Sequence, residues 1–478
     1  MLVGSCSWEL SSRKLHRKSR ARPLNFPFRS AGLFMKQVLT KLCHRWLPTG
    51  GFARSVSILV GGTAMAQAIA VAASPVLTRI YRPSDFGVLQ VFISLTGFVM
   101  VIAAGRYEFA LLLPEDEQSG FDLLGVAIFC VCLTTTVTAI IVAVLHRHPW
   151  MLPAGVLVLK GYLWLLPVSV LGGGLYQALS YRAMRQKAYR QIAITKLTQV
   201  AAMVVIQLAA GFVIRGPLGL LTGDAVGRIT GSGKFLRELW QNHVVQIRAM
   251  RVPRMIRLAV RYRDYPLVSA WGGLLNASGL ALPALFLAAC YGAQYTGWFA
   301  LVNRVLGVPA ALIGASIAQV YTSQAATLSR TDPQRLMYIF LETTRRMLYL
   351  GLAPCALFTI FAPWIFQTIF GRVWREAGEY ARYLAFMCYA SFINSPVTLT
   401  LSVLQRQRTQ FVWDAGKLAL TALSFTLPYH FGYGPRVAIL SYGVAMTLMY
   451  SVHWALSHGA IKHCADAAAA ALANMAEA

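Results

Sequence analysis

The sequence predicts an all-α membrane protein of about twelve transmembrane helices, arranged as two six-helix bundles related by a pseudo-two-fold axis along the membrane normal. Three observations carry this. Hydrophobic residues make up 57% of the 478 positions and charged ones 13%, against roughly 45–50% and about 25% in soluble domains. The apolar residues fall in blocks of about 18–25, the length that crosses a hydrocarbon core of about 30 Å. Positive charge collects between those blocks and favours one side of the bilayer.

Taken in order, residues 1–50 are basic (Arg13, Lys14, Arg17, Lys18, Arg20, Arg22) and lack an apolar run of signal-peptide length. A disordered cytoplasmic extension is expected there, or a start at Met35 that leaves residues 1–34 untranslated. A first bundle over 51–231 is expected to hold spans at 56–77, 86–106, 122–145, 155–176, 193–213 and 216–231. The sixth is interrupted by Asp224, Arg228 and several glycines. A basic cytoplasmic linker, 232–265, follows, and its Met250, Val252, Met255, Ile256 and Leu258 among arginines suit an amphipathic helix on an anionic leaflet. A second bundle over 266–458 is expected to hold spans at 266–289, 294–318, 347–369, 378–403, 411–429 and 437–457, before a cytoplasmic tail at 459–478.

With both termini in the cytoplasm, roughly 32 lysines and arginines fall in cytoplasmic segments and about 8 outside. The heaviest inner loops are 177–192 (Arg182, Arg185, Lys187, Arg190) and the linker. One inner loop, 107–121, is instead acidic (Glu115, Asp116, Glu117). The halves also share a faint repeat. Tyr81-Arg-Pro-Ser-Asp-Phe-Gly87 and Tyr291-Gly-Ala-Gln-Tyr-Thr-Gly297 each join the first two spans of a half, with Tyr and Gly six residues apart. Six spans per half give both halves one orientation, so the relating axis runs along the membrane normal.

Templates for catalysis are missing. Gly231-Ser-Gly-Lys234 lacks the flanking residues of a phosphate-binding loop, because Arg228 and Phe235 stand where Gly and Ser or Thr are needed. The net charge of +27 is not gathered on a nucleic-acid module, and the eight cysteines form no C-x-x-C, so no nucleic acid, metal or cofactor is expected. The informative residues are polar ones at membrane depth. Arg304 lies roughly 14 Å into the eighth span at 1.5 Å per residue, where an arginine costs at least about 2.5–3.5 kcal/mol. Asn303 precedes it and Asn276 sits at similar depth in the seventh span. Such a guanidinium either bonds helix carbonyls or Asn276, stitching helices together, or faces a cavity that receives an anion. Asp224 and Arg228 lie one helical turn apart and either neutralise each other or serve the pathway. Arg106 and Glu108 fall at the inner end of the second span. Lys160, Lys196, Asp414 and Lys417 lie near span ends, where snorkelling accounts for them.

Three segments together resemble the polysaccharide-type flippases, the O-antigen and exopolysaccharide exporters of the multidrug/oligosaccharidyl-lipid/polysaccharide superfamily. They are Leu77-Thr-Arg-Ile-Tyr-Arg-Pro-Ser-Asp-Phe-Gly87, then Arg106-Tyr-Glu-Phe-Ala-Leu-Leu-Leu-Pro114, and the stretch from Arg263-Asp-Tyr-Pro266 through Leu275-Asn276 to Asn303-Arg304 and Pro309. The resemblance covers about residues 52–458. It implies a bacterial inner-membrane transporter, not an enzyme, that moves oligosaccharide on a polyprenyl diphosphate carrier by alternating access through a central cationic cavity. Arg304 and Asn303, with Asn276, would then lie on the cavity wall, with Arg106 at the inner entrance. Partners would be the lipid-linked oligosaccharide, membrane lipids and other polysaccharide-assembly proteins. Lacking a nucleotide site, it would draw on an ion gradient or the membrane potential, with Asp224 and Glu108 as candidate coupling residues. A cation-coupled small-molecule or drug antiporter of the same superfamily is the alternative. A membrane polymerase or ligase would need a long external loop, and none is present.

Overall fold

The glycines and prolines between apolar blocks become the ends of twelve long helices. They are seen in a computed structural model that describes residues 51–477, with side chains from 58 to 467. The expected basic extension, 1–50, lies outside the described residues. The first six helices are α1 (Gly51–Ile80), α2 (Pro83–Ile102), α3 (Glu117–Arg147), α4 (Leu165–Arg185), α5 (Tyr189–Val213) and α6 (Leu218–Asn242). The second six are α7 (Ala270–Tyr291), α8 (Ala293–Thr331), α9 (Pro333–Phe370), α10 (Arg375–Asn394), α11 (Gln407–His430) and α12 (Pro435–Glu477). No strand occurs among the described residues. Nine of the described helices are long and apolar enough to cross a membrane. The other three, α4, α6 and α11, are diluted by charge and glycine. The chain is a multi-pass membrane protein.

The packing order of the two halves is the same. In the first half α1 packs on α5, α5 on α6, α6 on α4 and α4 on α3. In the second, α7 packs on α11, α11 on α12, α12 on α10 and α10 on α9. The halves meet where α2 crosses α7 and α8. There the two repeated segments lie against each other with their contacts exchanged: Gly87 backs onto the Ala293 carbonyl, and Gly297 onto the Pro83 carbonyl. A side chain at either glycine would overlap the facing backbone, so the sequence repeat is explained by a close crossing on the pseudo-dyad. The repeated tyrosines have matched roles too. Tyr81 donates its hydroxyl to the Gln207 carbonyl at the end of α5 (2.7 Å), and Tyr291 donates to the Tyr433 carbonyl just beyond α11 (3.3 Å). The α1–α2 turn is set by Pro83 opening α2 and by Asp85, whose carboxylate accepts from the Arg82 backbone N–H at 2.9 Å. Around the crossing Phe86, Phe92, Trp374, Tyr380 and Phe366 form a core shared by both halves. The Trp374 indole N–H donates to the Thr78 carbonyl at 3.0 Å.

Several boundaries differ from the hydropathy reading. The fourth span was expected at 155–176, but 149–164 is a chain of turns and short 3₁₀ segments, and α4 begins at Leu165. Pro149, Pro153, Gly155 and Gly161 break the helix within an apolar run, which a hydropathy window does not register. The expected inner loop 177–192 is mostly helix, with only Gln186–Ala188 between α4 and α5. Its arginines do more than orient the chain. Arg182 is buried, stacks on Phe121 at 3.8 Å and pairs with Glu117 at 3.7 Å. Arg185 donates to the Leu111 and Asp116 carbonyls, both at 2.8 Å. The acidic loop that broke the charge pattern is therefore held by this basic segment. The linker is also largely helical: α6 continues to Asn242, and Val252–Arg261 forms a separate short helix. Met255, Leu258 and Ala259 of that helix pack on the first half, while Val252, Ile256 and Val260 are exposed. The expected tail 459–478 is the continuation of α12 as far as Glu477.

Candidate functional site

Polar groups gather at three levels. The first is the segment after α2, where Gly105 and Arg106 both adopt left-handed backbone, φ 60° and 61°. For arginine this conformation is strained and persists only under surrounding constraint. It turns the Arg106 guanidinium across to α7, where it occupies the space a side chain at Gly273 would fill. The guanidinium also lies over the Phe109 ring at 5.2 Å. Glu108, two residues on, is fully buried and accepts from Gln177 Nε2 at 2.8 Å. Burial holds its carboxyl above the ordinary carboxylate range, offset in part by its own backbone, Arg106 and Gln177. Asn276 lies one turn beyond Gly273 on the same face of α7. It is exposed and makes no hydrogen bond with Arg304 among the described residues.

The second level is mid-depth, between the halves. Arg304 lies in a π-helical turn of α8, Asn303–Gly307. Pro309 cannot donate to the carbonyl four residues before it, and the helix widens there. The Arg304 guanidinium reaches α1, donating Nη2–H to the Ala70 carbonyl at 2.9 Å. That carbonyl lies five residues before Pro75 of α1, which removes the helix donor of the next carbonyl, that of Val71. On the first half's side, Arg228 pairs with the buried Asp224 carboxylate at 2.7 Å. Asp224 acts electrostatically on Arg304 as well. Lys196 lies over the Tyr176 ring at 4.8 Å and is close enough to Arg228 to be repelled by it. Arg228 and Arg304 thus share one carboxylate, with Lys196 beside Arg228, an excess of positive charge in a poorly screened place.

The third level is a cavity of about 310 Å³ within the second half. It is walled by α7, α8, α10, α11 and α12, and its polar lining includes Asn303, Ser391, Ser395, Tyr450 and Lys417. Consecutive residues therefore part company: Asn303 faces this cavity while Arg304 reaches the first half. Lys417 corrects the sequence reading, which placed it near a span end. Since α11 begins at Gln407, Lys417 lies about 15 Å along the helix. Its ammonium lies 5.3 Å from the Trp413 ring and 5.7 Å from that of Tyr450. The spacing of Trp413 and Lys417 on α11 hinted at this; a hydropathy boundary four residues late hid it.

Among the described residues no group of three or more His, Cys, Asp or Glu is placed to hold a metal ion. Residues 76–379 match the family described as polysaccharide biosynthesis protein. No curated protein matches the sequence. Solved structures share the fold at low identity. An inward-facing multidrug resistance MATE family transporter of the MOP superfamily superposes with a TM-score of 0.61 at 13% identity, covering 83% of this chain and 95% of that one. The lipid II flippase MurJ, in an inward closed conformation, gives 0.64 at 11% identity, covering 85% and 89%. A MOP superfamily transporter from Pyrococcus furiosus, described as having a binding pocket of reversed polarity, gives 0.55 at 11%, covering 86% and 95%.

Proposed function

This chain belongs to the polysaccharide biosynthesis protein family, and from that premise we propose that it is a flippase. Its cargo is an oligosaccharide unit on polyprenyl diphosphate, carried across a bacterial inner membrane by alternating access for O-antigen, exopolysaccharide or capsule assembly. One observation carries the reading: Arg304, bonded across to α1, and Arg228 share the single carboxylate of Asp224, with Lys196 beside Arg228. A diphosphate cannot cross hydrocarbon alone, and an excess of cations at mid-depth is a place to receive it. The Ala70 carbonyl engages one Nη2 donor of Arg304, and a guanidinium offers five. The sugars are polar and need a hydrated path across, while the polyprenyl tail stays in lipid. Arg106 at the inner end of α2 forms the entrance.

The test is Arg304→Ala in a host whose surface polysaccharide depends on this protein. Polysaccharide display is expected to fall at least tenfold at normal protein level, whereas unchanged display would sink the role given to Arg304. A cation-coupled small-molecule antiporter shares the fold, and altered drug sensitivity on deletion, with polysaccharide intact, would favour it instead.

A further inference from the structure

A buried histidine in the second half has surroundings that a neutral imidazole does not satisfy. His453 on α12 is fully buried. Its Nδ1 lies 3.1 Å from Asn394 Oδ1, and its Nε2 lies 3.2 Å from Gln410 Oε1. The orientation of Gln410 is fixed from its other end, where Nε2–H donates to Asp414 Oδ2 at 3.2 Å. Both ring nitrogens therefore face oxygen acceptors. A neutral imidazole carries one N–H and donates once; an imidazolium donates twice. Asn394 supplies a second, independent sign. It is 2% exposed, and its Nδ2 has no hydrogen-bond partner among the described residues. A half-turn of that amide would offer Nδ2–H to a neutral Nδ1. Two protonation states of the ring thus correspond to two orientations of Asn394, with Asp414 behind Gln410 to balance the charged one.

This unit adjoins the cavity of the second half. Ser391 of α10 and Ser395 just beyond its end, on either side of Asn394, line it, as do Tyr450 of α12 and Lys417 of α11. The Trp413 ring is shared: it lies 4.5 Å from the His453 ring and 5.3 Å from Lys417 Nζ. Lys417 also acts on His453 electrostatically, positive against positive. The other groups that bear on the ring are few. From α11 they are Asp414, through Gln410, and Lys417; from α10 the neutral Asn394; from α12 itself Tyr450. On α9, which also packs on α12, Thr344 meets Trp454 while Glu342 pairs with Arg346.

We propose that this unit is a proton-binding site linked to the cavity: an anionic group drawn against Lys417 brings a proton onto His453. The proposal rests on the anionic-cargo reading above. An anion beside Lys417 offsets the charge that opposes an imidazolium; His453 Nδ1 takes a proton from solvent as the hydrogen bond from Asn394 Nδ2 gives way to one from Nδ1 to Asn394 Oδ1. When the anion leaves, the ring gives the proton back and Asn394 turns. By reciprocity of linkage, low pH tightens anion binding by the same factor that the anion favours protonation. The proton offsets one of the anion's charges, and anion transfer becomes coupled to a proton gradient.

Calorimetry on the detergent-solubilised full-length protein tests this, with farnesyl diphosphate as the probe, in two buffers of different ionisation enthalpy between pH 6 and 8. Wild type is expected to take up about one proton more per probe bound than His453→Gln. Its affinity should also fall more steeply with pH, by up to about tenfold per unit, than that of the variant. The probe's own titration is common to both proteins and cancels. Asp414→Asn keeps the ring in place and is expected to move the fall in affinity to lower pH. Equal proton uptake by wild type and His453→Gln with binding retained, or an unmoved profile in Asp414→Asn, overturns the linkage and leaves the flippase reading intact. Absence of binding by wild type removes the diphosphate reading and the inference with it.

Discussion

Replacing Gly297 by alanine tests the crossing on which the two halves meet. A Cβ there would overlap the Pro83 carbonyl oxygen, lie 2.6 Å from its carbon and 3.0 Å from the Gly87 nitrogen. Carbon atoms in ordinary contact are about 3.5–4.0 Å apart, so α2 and α8 must separate by roughly 1 Å. Neither neighbour is a flexible side chain that could swing aside; both are backbone. Overpacking a well-filled core costs about 1–3 kcal/mol, occasionally more, and a backbone obstacle places this substitution at the upper end. About 3 kcal/mol lowers the folded-to-unfolded ratio by roughly two powers of ten. Unfolding of the purified protein, followed by the reactivity of half-buried cysteines such as Cys355 and Cys388 during heating, reads the loss. Gly97→Ala is the control, because nothing lies within 4 Å of a Cβ at that position. Gly87→Ala should behave like Gly297→Ala, and the double variant should cost less than the sum, since one separation relieves both clashes. If Gly297→Ala melts with the Gly97→Ala control, the crossing is not the tight contact described above.

Other expectations follow from single contacts. Glu108 is held above the ordinary carboxylate value of 4.5 by burial, so its neutral form favours the fold at low pH, and that contribution is lost as pH rises through the raised value. Glu108→Gln keeps an acceptor for Gln177 and should therefore raise the melting temperature at pH 8 but not at pH 4. Arg254 Nε lies 3.3 Å from Asp122 Oδ2, the carboxylate being only 1% exposed. Arg254→Ala should cost about 1–3 kcal/mol by stranding that buried charge, and Asp122→Asn in the same chain should restore most of it. The guanidinium's own exposure keeps the figure toward the lower end.

What the sequence revealed, and what it hid, divides along physical lines. Apolar runs and their punctuation marked the spans because lipid demands a helix with its backbone satisfied internally. The pair Tyr81–Gly87 and Tyr291–Gly297 is visible as a repeat, although only the fold shows each glycine clearing the other half's backbone. The fourth span begins later than its hydropathy indicates because Pro153 and Gly161 interrupt an apolar run. Arg304 was found by its depth, but its partner Ala70 is 234 residues away, and no pattern along one chain encodes that pairing. His453 gave no signal at all. Its meaning comes from Asn394 and Gln410 on two other helices, brought together only by the packing of α10, α11 and α12.

The exchanged glycine contacts also set the mechanics of the molecule. They sit at the first turn of α2 and at the corresponding turn of α8, so the tightest junction between the halves is at one end of the helices rather than at their middle. From that junction α2 extends 20 residues, or about 30 Å. A tilt of one half against the other about such a fulcrum leaves the glycine pair nearly still and moves the far end by about 0.5 Å for every degree, given that length. Ten degrees would shift it by about the pitch of one helical turn. Arg106, just beyond the far end of that lever and braced against Gly273 of α7, is placed where the displacement is greatest.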